Sequence, residues 1–452
     1  MYSNFFLLML MLILMTIGSE NETSLVLSNQ PILASCIVLV LYIFTIGLIS
    51  SQNIRLGRIA LQNQNKLSIL ANVELALFFI AYYFILGIPS RFAFQNFLFA
   101  GTFSIIISIL LYLGGLAAFY HSQNRLRYGE RIAFINTKLQ ISLLIPFFLP
   151  FLIYKFLSDL AMLIPWDRIL QITGIAENSY EETYLILLAG FVFIAILLIV
   201  MPLAIVYFWK CNDLEESTLK NRLIVLCQKA KFKYAGLKTW EVMQDSMTAA
   251  IIGVWGRFRY VMFTPGLLQK LSPNAIEAVL AHEIGHSKNR HLLIYPFIVS
   301  GIFIASSFLA SMIYAQMMSV LENHLVLSIQ VWNLLNALMF FIFFALILGI
   351  LFRLVFGYYT RLFERQADLY IFELGIPSAN LIEALNELAI ASGHIHDVPN
   401  WHHYSIRQRI NFLINAENSI SVINSHHRKV MLSLMAYFIC LACLIYIIFF
   451  NH

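Results

Sequence analysis

Two histidines and a glutamate, in the order His282-Glu283-Ile284-Gly285-His286, are the residues of this chain best suited to chemistry. On an α-helix, at about 100° per residue, the two imidazoles stand about 40° apart and can grip one metal ion. Glu283 falls about 60° beyond His286 on the same wheel. From there its carboxylate can hold a water at the metal and take its proton. Ser272-Pro273 marks the helix start, a hydroxyl N-cap and then a proline where no backbone N–H is needed. The pattern predicts helix from Asn274 to His291. A long apolar chain can also produce this motif by chance, so a third ligand is needed.

His291 fails as that ligand on a continuous helix, because five residues place it about 140° round from His286. Position 289 is Asn, which removes the glycine break of the metzincin alternative. Glu364 and Asp368, in Arg361-Leu-Phe-Glu364-Arg-Gln-Ala-Asp368, share one face of a helix that Gly375 and Pro377 end. A carboxylate from Glu364 would complete a site of two histidines and one glutamate, with one position open. Asp368 would then orient a ligand histidine. The competing reading of the pair is a solvated face with ion pairs to Arg361 and Arg365.

These blocks resemble the membrane zinc-metallopeptidase family that includes the prenyl-protein (CAAX) endopeptidase and the bacterial heat-shock protease HtpX. The stretch Ala278 to His286, followed by His291, is similar to that family's metal helix. Phe363-Glu364-Arg-Gln-Ala-Asp368 resembles its E-x-x-A-D block, and Trp401-His402-His403-Tyr404-Ser405-Ile-Arg-Gln-Arg409-Ile410 its H-P-S-x-x-x-R-I segment. The resemblance implies one Zn2+ held by His282, His286 and Glu364, with Glu283 as base and Asp368 in support. It also implies that His403 donates to a transition-state oxyanion and that Arg409 supports the site. Thr248-Ala249-Ala250-Ile-Ile-Gly253 looks like the family's substrate-binding edge strand, which usually reads N-A-x-x-x-G. Tyr404 in place of proline and Thr248 in place of asparagine are departures from the pattern. The first bears on the path of the His403 loop, the second on a substrate contact. The fold so implied is mainly α, a polytopic helical membrane protein with a gluzincin-like α+β catalytic domain.

The elements that must position these residues lie in an unusually apolar chain. Of its 452 residues 60% are hydrophobic and only 12% charged, and the mean hydropathy is +0.78. Runs long enough to span a bilayer occur near 31–50, 68–88, 97–120, 140–158, 184–209, 292–317, 330–357 and 430–450. A shorter run, Phe5 to Ile17, has no basic n-region and reads as an uncleaved span. Arg55, Arg58, Lys66, Arg125, Arg127, Arg131 and Lys138 fall in loops on one side. Glu20, Glu22, Asp159, Asp167, Glu177, Glu181 and Glu182 fall on the other, with Arg91 alone. Positive-inside orientation makes the first side cytoplasmic and puts 210–291 and 358–428 there together.

The expected organisation is an N-terminal membrane region (1–209), catalytic parts at 210–291 and 358–428, a span pair at 292–357 and a last span at 429–452. The net charge of +5 is accounted for by cytoplasmic loops and anionic headgroups, and no motif points to nucleic acid. The expected partners are the lipid bilayer and a protein or peptide substrate, and the resemblance favours a bacterial inner membrane. Cys440 and Cys443 form a C-x-x-C inside an apolar span, where packing is expected rather than redox chemistry. Glu74, the acidic residue well inside a span, is expected to be interfacial or paired.

Thr248–Gly253 and Arg259–Thr264 read as a hairpin whose edge could pair with an extended substrate. Two other function classes fit less of the sequence. A sensor-transducer protease needs a large outer domain, and the outer loops here are short. A scaffold or transporter with structural zinc has no use for Glu283 beside an open metal position. An intramembrane protease is disfavoured because Asn274, Glu277, Lys288, Asn289 and Arg290 surround the motif.

Overall fold

The computed structural model describes residues 11, 31–57, 64–86, 99–165, 180–240, 242, 246–321, 329–393, 396–398 and 403–450. The run 5–17 (Met11 apart), the loop residues Glu20, Glu22, Arg58, Arg91, Asp167 and Glu177, and Trp401-His402 lie outside them, as do the side chains of Arg55, Glu181 and Glu182. The chain divides into two compact units, Met1–Phe208 with Leu325–Phe341, and Trp209–His324 with Ile342–His452.

The first unit is built from α1 (Pro31–Gly57), α2 (Gln64–Ile80, extended by a π turn, Ala81–Ile85), α3 (Ala100–Tyr128), α4 (Glu130–Ala161) and α5 (Tyr180–Phe208). Hydrocarbon offers no hydrogen bonds, so polar side chains inside such a bundle must find each other. They do. The Tyr112 hydroxyl donates to Asn72 Oδ1 (2.8 Å), Tyr83 to Ser108 Oγ (2.6 Å), and Asn53 Nδ2 to Ser122 Oγ (2.7 Å). Glu74 is paired too, accepting from Gln52 Nε2 at 2.6 Å. Asp159, buried at the end of α4, accepts from the backbone N–H and the hydroxyl of Thr102 (both 2.7 Å) in the first turn of α3.

The second unit carries the motifs. Its sheet has the order β1-β2-β4-β3, from β1 (Cys211–Asp213), β2 (Gly236–Trp240), β3 (Ala249–Ile252) and β4 (Tyr260–Phe263). β2 and β4 run parallel and the other pairs antiparallel, with α6 (Thr218–Lys229) between β1 and β2. β3 and β4 form the expected hairpin, and β3 is an edge strand. After α7 (Pro265–Lys270) comes α8 (Pro273–Lys288), capped by the Ser272 hydroxyl on Ala275 N–H, with proline at its first turn. Its apolar side, including Ile276, Leu280 and Ile284, packs into one core with Val261 and Phe263 of β4.

The helix expected to run to His291 stops at Lys288. Asn289 caps it by donating from its side chain to Gly285 O, and Arg290 takes a left-handed φ of 58°. The next helix, α9 (His291–Leu321), therefore starts in a new direction. Then follow α10 (Ile329–Leu351), a π turn (Phe352–Phe356), α11 (Gly357–Glu373), α12 (Ser378–Ala391), α13 (Ile406–Glu417) and α14 (Ile420–Phe450). Gly375, at φ 63°, turns the chain out of α11. A full capping box of Ser405 and Gln408 starts α13. Tyr437 of α14 donates to Ile298 O of α9 (2.8 Å), and Tyr359 of α11 to Ser433 O of α14 (2.7 Å). The first turns of α9 and of α11 thus both dock on the middle of α14.

Among the described residues, eight helices are long and apolar enough to cross a membrane, at the places the eight long runs predict. None of the five cysteines is in a disulfide, with Cys211 and Cys227 buried in the second unit and Cys440 and Cys443 exposed on α14.

Candidate metal centre

His282 and His286 project from α8 towards Glu364 of α11. Their Nε2 atoms are 3.3 Å apart, and Glu364 reaches them at 3.8 and 3.4 Å. All three donor atoms fall within 4.8 Å of one another, the one such group among the described residues. Asp368, one turn further along α11 and fully buried, takes the other nitrogen of His282 (Nδ1–Oδ1 2.8 Å). That contact fixes the tautomer and leaves Nε2 of His282 free as an acceptor facing the group. Two neutral imidazoles and a carboxylate, with a carboxylate behind one imidazole, is a donor set that fits zinc.

Arg409 of α13 closes the group from behind. Its Nε and Nη2 donate to the two oxygens of Asp368 (3.0 and 2.6 Å), and Nη1 stands 3.2 Å from Glu364 Oε2. Burial alone would lower the guanidinium pKa, but the Asp368 and Glu364 carboxylates outweigh it and hold it above its ordinary value. The solvated-face reading of Glu364 and Asp368 is thereby overturned, since they are 8% and 0% exposed. Arg365 instead lies over the Tyr404 ring (3.6 Å to the centroid) and near Phe412 (4.7 Å). Tyr404 therefore has a place of its own, beneath a cation of α11, where the related pattern has proline.

Why the two ligand helices can come this close is a matter of one missing carbon. A Cβ at Gly285 would meet the Ala367 carbonyl oxygen at 2.9 Å, the Ala367 Cα at 3.0 Å and Tyr370 Cβ at 2.8 Å. Two of those atoms are backbone and cannot swing aside. Gly285→Ala should force α8 from α11 and destabilise the protein by about 1–3 kcal/mol. Bound zinc should fall with it, as metal analysis would read. Full zinc content and unchanged melting in that variant would contradict this account of the packing.

The break at Arg290 gives His291 a role that a continuous helix denies it. Its Nδ1 lies 2.9 Å from His286 Nδ1, its Nε2 3.0 Å from Gln366 Oε1, and Gln366 Nε2 lies 2.8 Å from His427 Nδ1 on α14. With Nε2 of His286 as the donor to a metal, one proton arrangement satisfies all three contacts. His286 Nδ1–H donates to His291, His291 Nε2–H to Gln366 Oε1, and the Gln366 amide to His427. The His291 ring is also stacked on Phe363 (4.2 Å, 7° between planes). Gln366→Leu should keep the fold and weaken zinc binding about ten- to hundred-fold in chelator competition. An unchanged affinity would show that the chain of contacts is idle. None of His291, Gln366 or His427 carried a sequence signal for this role beyond the histidines themselves.

A cavity of about 260 Å³ opens over the group, lined by His282, Glu283, Glu364, His403 and Arg409. Burial raises the Glu283 pKa, partly offset by His282 and His286. His403 Nδ1 is 3.3 Å from Glu364 Oε2. Leu381, Ala384, Leu385 and Leu388 of α12 give the cavity an apolar wall. Thr248 and Ala249, at the start of β3, line it as well. Gly253 does not, since it sits at the other end of the strand. There its φ of 86° makes the bend, and a Cβ would collide with Phe258 O at 2.1 Å.

Residues 213–432 match the model of Peptidase family M48. That segment belongs to the M48 peptidases. The matched residues take in the whole sheet except the first two residues of β1, both ligand helices, and α12 and α13. The chain is a multi-pass membrane metalloendopeptidase, and M48 enzymes are zinc-dependent in general. A crystal structure of S. mikatae Ste24p superposes with a TM-score of 0.46 at 17% identity, over 84% of this chain and 99% of that one. Among curated proteins none matches this chain by sequence.

Proposed function

We propose that the chain is a zinc endopeptidase that hydrolyses peptide bonds of membrane-associated proteins at the cytoplasmic face. The observation that carries this reading is the convergence of His282, His286 and Glu364 on a cavity that also holds Glu283 and His403. One zinc per chain, held by those three residues, would supply Lewis acidity to a water and to the scissile carbonyl. Glu283 takes the proton of the attacking water and later delivers it to the leaving amine. His403 donates to the oxyanion of the tetrahedral intermediate. Asp368 and Arg409 keep His282 and Glu364 in place. The substrate strand adds to β3 by backbone hydrogen bonds beside Thr248 and Ala249, and an apolar side chain enters between the leucines of α12.

Cytoplasmic placement is supported by the basic residues just before α9 (Lys288 and Arg290), before and early in α11 (Arg353 and Arg361), and in the first third of α14 (Arg428 and Lys429). Prenylated or misfolded membrane proteins in a bacterial inner membrane are the substrates and setting that the family resemblance favours.

The test is zinc content and cleavage of a membrane-anchored reporter by wild type and Glu364→Ala. We expect near-stoichiometric zinc and cleavage in wild type, with both lost in the variant and the wild-type activity removed by chelation and restored by zinc. Zinc retained by Glu364→Ala would remove the third ligand from the site.

A further inference from the structure

A second cavity in the catalytic unit is surrounded by positive charge that no ion pair among the described residues neutralises. Lys231, Arg259, Lys288 and Arg290 line a volume of about 410 Å³, with Trp255 and Leu293. No carboxylate lines it, and none of the four takes part in an ion pair among the described residues. Arg259 is held in place by carbonyl oxygens only. It donates to Gly253 O (3.4 Å), Lys233 O (3.3 Å) and Val254 O, with its guanidinium 5.0 Å from the Phe232 ring centroid. Lys288 Nζ reaches Lys231 O at 3.5 Å. These neutral partners orient the cations and leave their charge intact. Like charges gathered this way repel one another, so an anion between them relieves a standing cost.

The position of the cavity says what kind of anion. Arg290 immediately precedes the candidate span His291–Ser319, whose first turn contributes Leu292 and Leu293 to the lining. A 29-residue helix is about 43 Å long, against about 30 Å of hydrocarbon, so its ends stand in the headgroup layer. The positive end of the α9 dipole is at the same place. Trp255 and Leu293 are 46% and 36% exposed, an aromatic and an aliphatic surface at headgroup depth.

We propose that this cavity binds the headgroup phosphate of an anionic phospholipid, whose acyl chains lie along Leu293 and the first turns of α9. The cations come from the turn between α6 and β2 (Lys231), the β3–β4 turn (Arg259), the end of the metal helix (Lys288) and the step before the span (Arg290). A lipid seated there would tie these four segments to the membrane surface. The inference is independent of the substrate reading above.

The experiment uses the full-length chain in detergent. It measures by native mass spectrometry the retention of dioleoyl phosphatidylglycerol and of dioleoyl phosphatidylcholine, each with and without millimolar inorganic phosphate. Wild type should retain the anionic lipid in preference to the zwitterionic one, and phosphate should not displace it. Lys288→Gln with Arg290→Gln should weaken retention about twenty-five-fold, at roughly fivefold per basic residue. The control Lys220→Gln with Lys270→Gln removes the same charge elsewhere in the unit and should leave retention unchanged. Lys231→Asn is a milder probe, since Asn tolerates the left-handed φ of 47° at that position, and about a fivefold loss is expected. Equal retention of the two lipids, or undiminished retention in both cavity variants, would overturn the proposal. Displacement by inorganic phosphate would also overturn it, because the site would then serve a free anion.

Discussion

Glu283→Gln is expected to abolish peptide hydrolysis while leaving the zinc content at the wild-type level. The substitution keeps the shape of the side chain and its place in the cavity beside His282 and Glu364. What it removes is the ability to accept a proton. General acid–base groups contribute about 10²–10⁴-fold to rate, and here one group serves both the attack and the departure, so the loss should lie at the upper end. Burial raises the Glu283 pKa, which brings the carboxylate closer to neutrality and makes it a stronger base than an exposed glutamate. Metal should stay because Glu283 is not among the three converging donors. Turnover by Glu283→Gln at the wild-type rate would transfer the base to another group. Zinc lost with activity would instead make Glu283 part of the metal's own hold on the protein.

The second large effect concerns Arg409. Its bidentate contact with Asp368 and its approach to Glu364 put one guanidinium behind two carboxylates in a buried pocket. Arg409→Ala strands both charges. Breaking a buried pair from one side costs about 3–5 kcal/mol, so melting in detergent should fall by roughly 10 °C or more. A double replacement separates stability from function. Asp368→Leu with Arg409→Met removes both charges at similar volume and should recover most of the melting temperature. Zinc affinity should not recover with it, because Nδ1 of His282 has lost the carboxylate that fixes its tautomer. If Arg409→Ala melted like wild type, the pair would be incidental to the fold.

Much of this site is legible in the sequence because it is built from short helical spacings. His282 and His286 one turn apart, and Glu364 and Asp368 one turn apart, each define a face without knowledge of the fold. Ser272-Pro273 and Gly375 mark helix ends by backbone chemistry that acts locally. Hydropathy alone places the eight spans, since a bilayer demands length and apolarity of every one. What is not legible are the contacts between elements distant in sequence. Nothing near Arg365 announces that its guanidinium lies over Tyr404, so on spacing alone an ion-paired surface is the better reading of that face. His291 is the sharper case. A helical wheel turns it away from His286, and only the left-handed step at Arg290 brings it back. The glycine of the metal motif is similar, because its purpose appears only when Ala367 and Tyr370 arrive against it.

The order of the elements along the chain has a consequence for biosynthesis. The two histidines leave the ribosome on α8, while Glu364 follows only after α9 and α10, both of which must enter the bilayer. Asp368, Arg409 and His427 come later still. With the proposed ligand set, a nascent chain that stops short of α11 holds two of three donors and, of the residues that steady them, His291 alone. On that same ligand set, the third donor would join the two histidines only after α9 and α10 have been made.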